Sequence, residues 1–174
     1  MKKESLLKIE REAEKVLKNL PGDTCPTPIE AIIKSFDIMV GHAGSDEYSG
    51  ILIRKSDKKV LMGLNSSEPY HRQRFTMAHE LGHFILHQTK TAFVDKKISV
   101  DYRGNHSYSN SVREAQANIF AAALLMPRQR IIDDFNQIIT SKKIFLEDQL
   151  IELASKYYVS KDAMKYRLMN LELI

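Results

Sequence analysis

Residues 76–87, "TMAHELGHFILH", set three histidines and one glutamate among apolar residues that recur at helical spacing. Ala78, Leu81, Gly82, Ile85 and Leu86, with Phe75 just before, give the segment an apolar body, so it reads as a core helix and not as a surface one. Imidazole and carboxylate groups on such a helix are costly to bury without partners. His79-Glu80-Leu81-Gly82-His83 has the form H-E-x-x-H. At helical pitch, His79 and His83 lie ~40° apart in azimuth and ~6 Å apart along the axis, so both rings can converge on one metal ion. Glu80 is offset to the side of that face. It is poorly placed as a ligand but within reach of a water held by the ion, where a general base belongs. Gly82 costs about 1 kcal/mol of helix propensity relative to Ala, and its presence predicts close approach by another element.

His87 continues the row, but at ~12 Å along the axis from His79 it cannot share the ion. It is either a group supporting a ligand or a surface histidine. A metzincin is excluded, because Thr89 stands where that pattern requires its third histidine and Leu86 where it requires glycine.

A catalytic zinc normally has three protein ligands and an open position for water. The downstream candidates for the third ligand are Asp95, Asp101, His106 and Glu114. The first three sit in a polar stretch and are most simply solvated. Glu114 falls on a helical pattern with Ala115, Ala117, Phe120, Ala121, Leu124 and Leu125, whose small residues permit close packing on the first helix. Asn118, one turn later on the same side, is placed to hold a metal-bound imidazole through its other nitrogen. Ser111-x-x-Glu114 is equally a capping-box pattern, so spacing alone leaves Glu114 divided between ligand and helix cap.

"RFTMAHELGHFILH" followed by "EAQANIFAAALLMP" resembles the two signature blocks of the ImmA/IrrE family of metallopeptidases. The second block of that family has the form E-x-x-A-N-x-F-A-x-x-L-L-M-P, matched here from Glu114 to Pro127. The likeness extends more loosely from the Pro28 helix to "LASKYYVSKDAMKYRL" near the C-terminus. The resemblance implies a zincin-like domain in a gluzincin-like arrangement. His79, His83 and Glu114 would hold Zn2+ and Glu80 would be catalytic. It further implies a helix-turn-helix transcriptional repressor as substrate, cut to derepress mobile-element or stress genes. Some family members carry their own N-terminal helix-turn-helix domain. None is expected in this sequence, which would fit a stand-alone antirepressor acting on a separate partner.

Around these blocks the chain reads as predominantly helical α+β, with a small β-hairpin or sheet and a C-terminal helical segment. A single domain of 1–174 is expected, comprising an N-terminal helix over about 1–22, a zincin-like core over 27–127 and a helical subdomain over 128–174. In the first helix, Leu6, Ile9, Ala13, Val16 and Leu17 share a face, and Pro21-Gly22 ends it. Thr27 is the expected N-cap of the next helix, with Pro28 in its first turn. "DIMV" reads as a strand, "GHAGSDEYSG" as loop, and Ile51–Arg54 with Val60–Leu64 as a hairpin. "TKTAFVDKKISVDYRGNHSYSNS" reads as a long loop with at most a short strand; its Tyr102, His106 and Tyr108 could reach the site as oxyanion donors but read as packing or surface residues.

The chain of 174 residues is 43% hydrophobic and 28% charged with a net charge of +4, and its Lys and Arg are scattered among Asp and Glu. That is an ordinary solubilising surface and no nucleic-acid footprint. "QLIELASKYYVSKDAMKYRL" resembles a helix-turn-helix whose second helix carries Lys161, Lys165 and Arg167, but Tyr158 stands where the turn commonly has Gly. Leu150, Leu153, Ala154, Val159, Ala163 and Leu168 are the expected inward face, and direct DNA binding is not expected. The single cysteine, Cys25, the lack of a signal-like apolar segment and the lack of a bilayer-spanning run predict a cytoplasmic protein with no membrane partner. Cys25 is expected to be a free thiol, the alternative being a thiolate that caps the zinc. A zinc protein that binds its repressor or DNA without cutting is the alternative function; Glu80 favours the enzyme, since a purely structural site has no use for a base.

Overall fold

The computed structural model describes residues 3–20, 24–55, 59–87, 93–96, 108–142 and 145–174. Helix α1, Lys3–Lys18, buries Ile9, Ala13 and Val16 along one stripe, and this stripe packs on the later helix α4. Its expected stop at Pro21-Gly22 lies outside the described residues.

Helix α2, Ile29–Ser35, has Pro28 at its N-cap position, so Thr27 does not cap it. Thr27 is instead buried, and its hydroxyl donates to the Leu124 carbonyl at 3.1 Å, while Arg74 donates to the Thr27 carbonyl at 2.8 Å. A hydroxyl satisfied by a distant carbonyl has been taken from its local role by tertiary packing.

The sheet has four strands in the order β1-β3-β2-β4: Ile38–Ala43, Tyr48–Arg54, Val60–Asn65 and Phe93–Lys96 for β1 to β4. β2 and β3 form the expected hairpin, antiparallel with Arg54 opposite Val60, and β1 adds to β3 in parallel. β4 pairs antiparallel with the other side of β2, with a register shift between Tyr48 and Gly50. The stretch expected as loop at 41–50 is thus strand at both ends. β1 continues to Ala43 opposite Asn65, and β2 begins at Tyr48. What remains of the loop is tied by Asn65, whose Oδ1 accepts from the backbone of Ser45 and Ser67 and whose Nδ2 donates to the Ser45 carbonyl. Ile38, Leu52, Val60, Met62 and Leu64 give the sheet its buried side chains, with α3 packed on β2 and β3.

Helix α3, Tyr70–Leu86, buries every residue from Thr76 to His83. Helix α4, Tyr108–Leu125, lies against it. A Cβ on Gly82 would meet the Cα and O of Ala117 and Cδ1 of Phe120, each at 3.2 Å, which is the close approach the glycine predicts. Because α4 starts at Tyr108, Glu114 sits within the helix and not in its first turn. Ser111 is therefore no N-cap, and the capping-box alternative is excluded.

Pro127 precedes α5, Arg128–Lys142, and the chain ends in α6, Glu147–Tyr157, and α7, Lys161–Asn170. Tyr158 between them takes φ 54°, the left-handed conformation for which Gly is usual. Its ring packs edge-on against Tyr70 at 5.4 Å and under the Arg74 guanidinium at 5.8 Å, both on α3. Ser160 caps α7, accepting from the Ala163 N–H at 3.1 Å. Leu150, Leu153, Ala154, Val159 and Leu168 are buried as expected, and Ala163 is half-buried. Arg167 also turns inward: it forms a buried ion pair with Glu10 of α1 and donates through Nε to the Met126 carbonyl at 3.0 Å. It cannot serve the phosphate contact a DNA-binding helix would ask of it, and Lys161 is paired with Glu147 at 2.7 Å. No helix of the described residues is long and apolar enough to cross a membrane.

Candidate metal centre

α3 and α4 each present two polar residues one turn apart across their shared seam, His79 and His83 from one, Glu114 and Asn118 from the other. Gly82 and Ala117 remove the side chains that would hold the helices apart, and so let these four meet. His79 Nε2 and His83 Nε2 are 3.0 Å apart, and the Glu114 carboxylate reaches them at 3.1 and 3.3 Å. These are the described residues whose ligand atoms gather closely enough to hold a metal ion.

The donor chemistry fits a cation. His79 Nδ1 donates to Asn118 Oδ1 at 2.9 Å, which leaves the Nε2 lone pair directed at the cluster. Lone pairs from two imidazoles and a carboxylate then converge on one point. Donors at zinc-ligand distances around a tetrahedral ion stand about 3.3 Å apart, close to the spacing found. The two histidines are buried, whereas the Glu114 side chain is 37% exposed. The centre is thus open on one side, as a site that admits water and substrate must be. Burial alone would push the Glu114 carboxyl up, but its hydrogen bonds and charge interactions with His79 and His83 hold it well below the usual carboxylate range.

Glu80 is fully buried and lies outside the ligand cluster. Its carboxylate is packed against β2: a Cβ on Gly50 would stand 3.1 Å from Glu80 Oε1 and 2.4 Å from Thr76 Cγ2. Gly50 is a residue that sequence reasoning missed. An isolated glycine at the edge of a β-type run signals close backbone approach, but "YSG" shares the Gly- and Ser-rich turn composition of the residues before it.

His87 is half-buried. Its Nε2 donates to the Arg113 carbonyl at 3.2 Å, and its ring lies 5.4 Å from that of His83. Burial lowers its pKa. It therefore joins the end of α3 to α4 beside the centre, and is not a free surface histidine. Cys25 lies on α6, its thiol donating to the Lys156 carbonyl at 3.4 Å, and takes no part in the cluster. Asp101, Tyr102 and His106 lie outside the described residues, and only the backbone is described for Asp95 and Tyr108.

A pair of helical histidines one turn apart, a carboxylate from the next helix and a buried glutamate beside them make an H-E-x-x-H site that could hold a metal ion. Residues 33–169 match the IrrE N-terminal-like domain, and the chain belongs to this metallopeptidase family. It is 34% identical over 105 residues to the radiation response metalloprotease IrrE of Deinococcus radiodurans, an alignment that covers 60% of this chain and 29% of that protein. Its fold is also similar to that of a Mycobacterium tuberculosis transcriptional regulator, with a TM-score of 0.59 at 16% identity, over 95% of this chain and 46% of that one. The chain thus spans less than half the length of either relative.

Proposed function

We propose that the protein is a zinc-dependent metallo-endopeptidase of the cytoplasm, with His79, His83 and Glu114 as zinc ligands and Glu80 as the catalytic base. The observation that carries this reading is the convergence of three donor atoms from two helices on a centre with one open side. When bound, zinc supplies the Lewis acidity that brings the pKa of a water toward ~7 and polarises the scissile carbonyl. Glu80 takes the proton of the attacking water and delivers it to the departing amine. Asn118 holds His79 in the tautomer and orientation a ligand needs. His87 holds the end of α3 to α4 and so supports His83.

The substrate we propose is a helix-turn-helix repressor, whose cleavage would make this protein an antirepressor of mobile-element or stress genes. Support for the substrate comes from the family resemblance; the centre itself asks only for a peptide bond. Elemental analysis of the purified chain should find about one zinc, lost or sharply weakened in Glu114→Ala at matched circular dichroism. Glu80→Gln should keep the metal and lose roughly 100- to 10,000-fold in turnover of the repressor. Undiminished cleavage by Glu80→Gln would refute the assignment of the base, and a wild type that takes up no zinc on reconstitution would refute the centre.

A further inference from the structure

A groove of about 640 Å³ runs from His79 along the seam between α3, α4 and α7. Phe75 lies on its α3 side, Ile119 and Ala122 on α4, and Val159, Ala163 and Tyr166 on the α7 side. We infer that this groove receives an extended segment of the protein substrate and that the α7 wall selects an apolar side chain within it, an inference that rests on the peptidase reading above.

Three observations carry it. The first is continuity. His79 and Asn118, joined by a hydrogen bond of 2.9 Å, both line the groove, so a chain lying in it touches one proposed ligand, His79, and the residue that orients it. The second is size and lining. The volume falls in the range of pockets that take small ligands, ~300–1,000 Å³, enough for a few residues of open chain but not for a folded module. Phe75, Ile119, Ala122 and Ala163 are only half-buried, and Tyr166 is 66% exposed, leaving apolar surface that a side chain would cover. Tyrosine is a favoured anchor in such contacts, because it contributes large area with few rotors.

The third is the rigidity of the wall. α7 is fixed to α1 and to the end of α4 by the Arg167 contacts with Glu10 and the Met126 carbonyl. The turn that leads into it is fixed to α3 through Tyr158, Tyr70 and Arg74. A wall set in place before binding costs little to order on association, which favours a recognition surface over a surface helix that merely happens to be near. The pairing of Lys161 with Glu147 and the presence of Asp162 on the same wall disfavour nucleic acid as the occupant.

The test uses the zinc-loaded full chain and calorimetric titration with three probes. Acetohydroxamate reports the metal alone. Two leucine-bearing hydroxamates, extending to the amino and to the carboxyl side of the chelating group, report the groove. One of the two should bind wild type roughly tenfold or more tighter than acetohydroxamate, as burial of a leucine side chain implies. Ala122→Phe, which fills the groove, should erase that gain, and Tyr166→Ala, at an exposed position that leaves folding undisturbed, should reduce it. Acetohydroxamate should bind all three proteins alike. No gain for either leucine probe, or a gain that survives Tyr166→Ala and a folded Ala122→Phe, overturns the groove assignment while the metal reading stands. Failure of acetohydroxamate to bind the zinc-loaded wild type removes the peptidase reading itself, and the groove assignment with it.

Discussion

Replacing Gly50 by alanine tests how Glu80, the proposed base, is held. The added Cβ would lie 2.4 Å from Thr76 Cγ2, 3.1 Å from Glu80 Oε1 and 3.4 Å from Glu80 Cγ. The first contact is about 1 Å shorter than carbon atoms tolerate at optimal separation. β2 is not free to retreat, because Gly50 is paired with Leu64 on one side and Asp95 on the other. α3 is held from behind by α4. The overlap therefore has to be absorbed by strain, and overpacking of this kind costs about 1–3 kcal/mol. For a chain of this size that corresponds to a fall in Tm of roughly 2–12 °C. Because Glu80 borders the new methyl group, its carboxylate moves as well, and a displacement near 1 Å can cost on the order of 100-fold in rate.

Two measurements separate these effects. Thermal unfolding reads the strain, and turnover of the repressor reads the Glu80 carboxylate, with zinc content checked in parallel. Adding Thr76→Ser to Gly50→Ala removes Cγ2, the atom of the severe contact, but leaves the 3.1 Å contact with Glu80 Oε1. The double variant should recover most of the lost Tm and regain less of the rate. An unchanged Tm and unchanged cleavage in Gly50→Ala would refute the claim that β2 packs against Glu80.

Three further outcomes follow from contacts outside the centre. Arg167→Met should cost about 3–5 kcal/mol in urea unfolding, because it leaves the Glu10 carboxylate buried and unpaired, while Glu10→Met with Arg167→Met should cost less than the single change; equal losses would refute a coupled pair. The Tyr157 phenol is pushed up by burial and by its hydrogen bond to Asp134, so above pH ~10 the unfolded chain releases a proton that the folded chain keeps, and stability falls as pH rises. Tyr157→Phe should flatten that alkaline fall by up to about 1.4 kcal/mol per pH unit in denaturant titrations, and an unchanged slope would refute the shift. Burial raises the Cys25 thiol, so at pH 8 it should react with a disulfide reagent more slowly than free cysteine, with a rate still climbing above pH ~8.5; a fast, pH-independent reaction would contradict this.

The helix at 70–86 and the small-residue helix after it were legible because their information is local: period, spacing and residue type sit within a dozen positions. The bonded Asn118–His79 pair was legible for the same reason, since the i to i+4 offset on one helix mirrors that on the other. The extra strand residues at 41–43 and 48–50 were not. Glycine and serine there carry turn chemistry, and β1 is exposed after Ile38, so no apolar alternation marks it; backbone pairing with β3 makes it a strand. The start of α4 was hidden by polar residues of low helix preference before Ser111, and this is what left Glu114 divided between cap and ligand. Arg167 reads as a basic surface residue because its partner, Glu10, is 157 positions away.

These failures share a physical origin with the centre itself. His79, His83, Glu114 and Asn118 form the polar stretch of an interface whose continuation is Leu81, Phe120, Ala121 and Leu124, all fully buried. The same two helices therefore supply the core of the fold and the donor set of the site. Gly82 lowers the intrinsic stability of α3, yet its missing side chain lets the Ala117 backbone approach to the distance at which a glutamate from α4 reaches both imidazoles. A local rule is broken where the site needs two backbones close together. Gly50 repeats the arrangement on the opposite side of α3, where the missing side chain admits the Glu80 carboxylate. Both glycines act by what they leave out, and the helix between them carries His79 and His83 toward α4 and Glu80 toward β2.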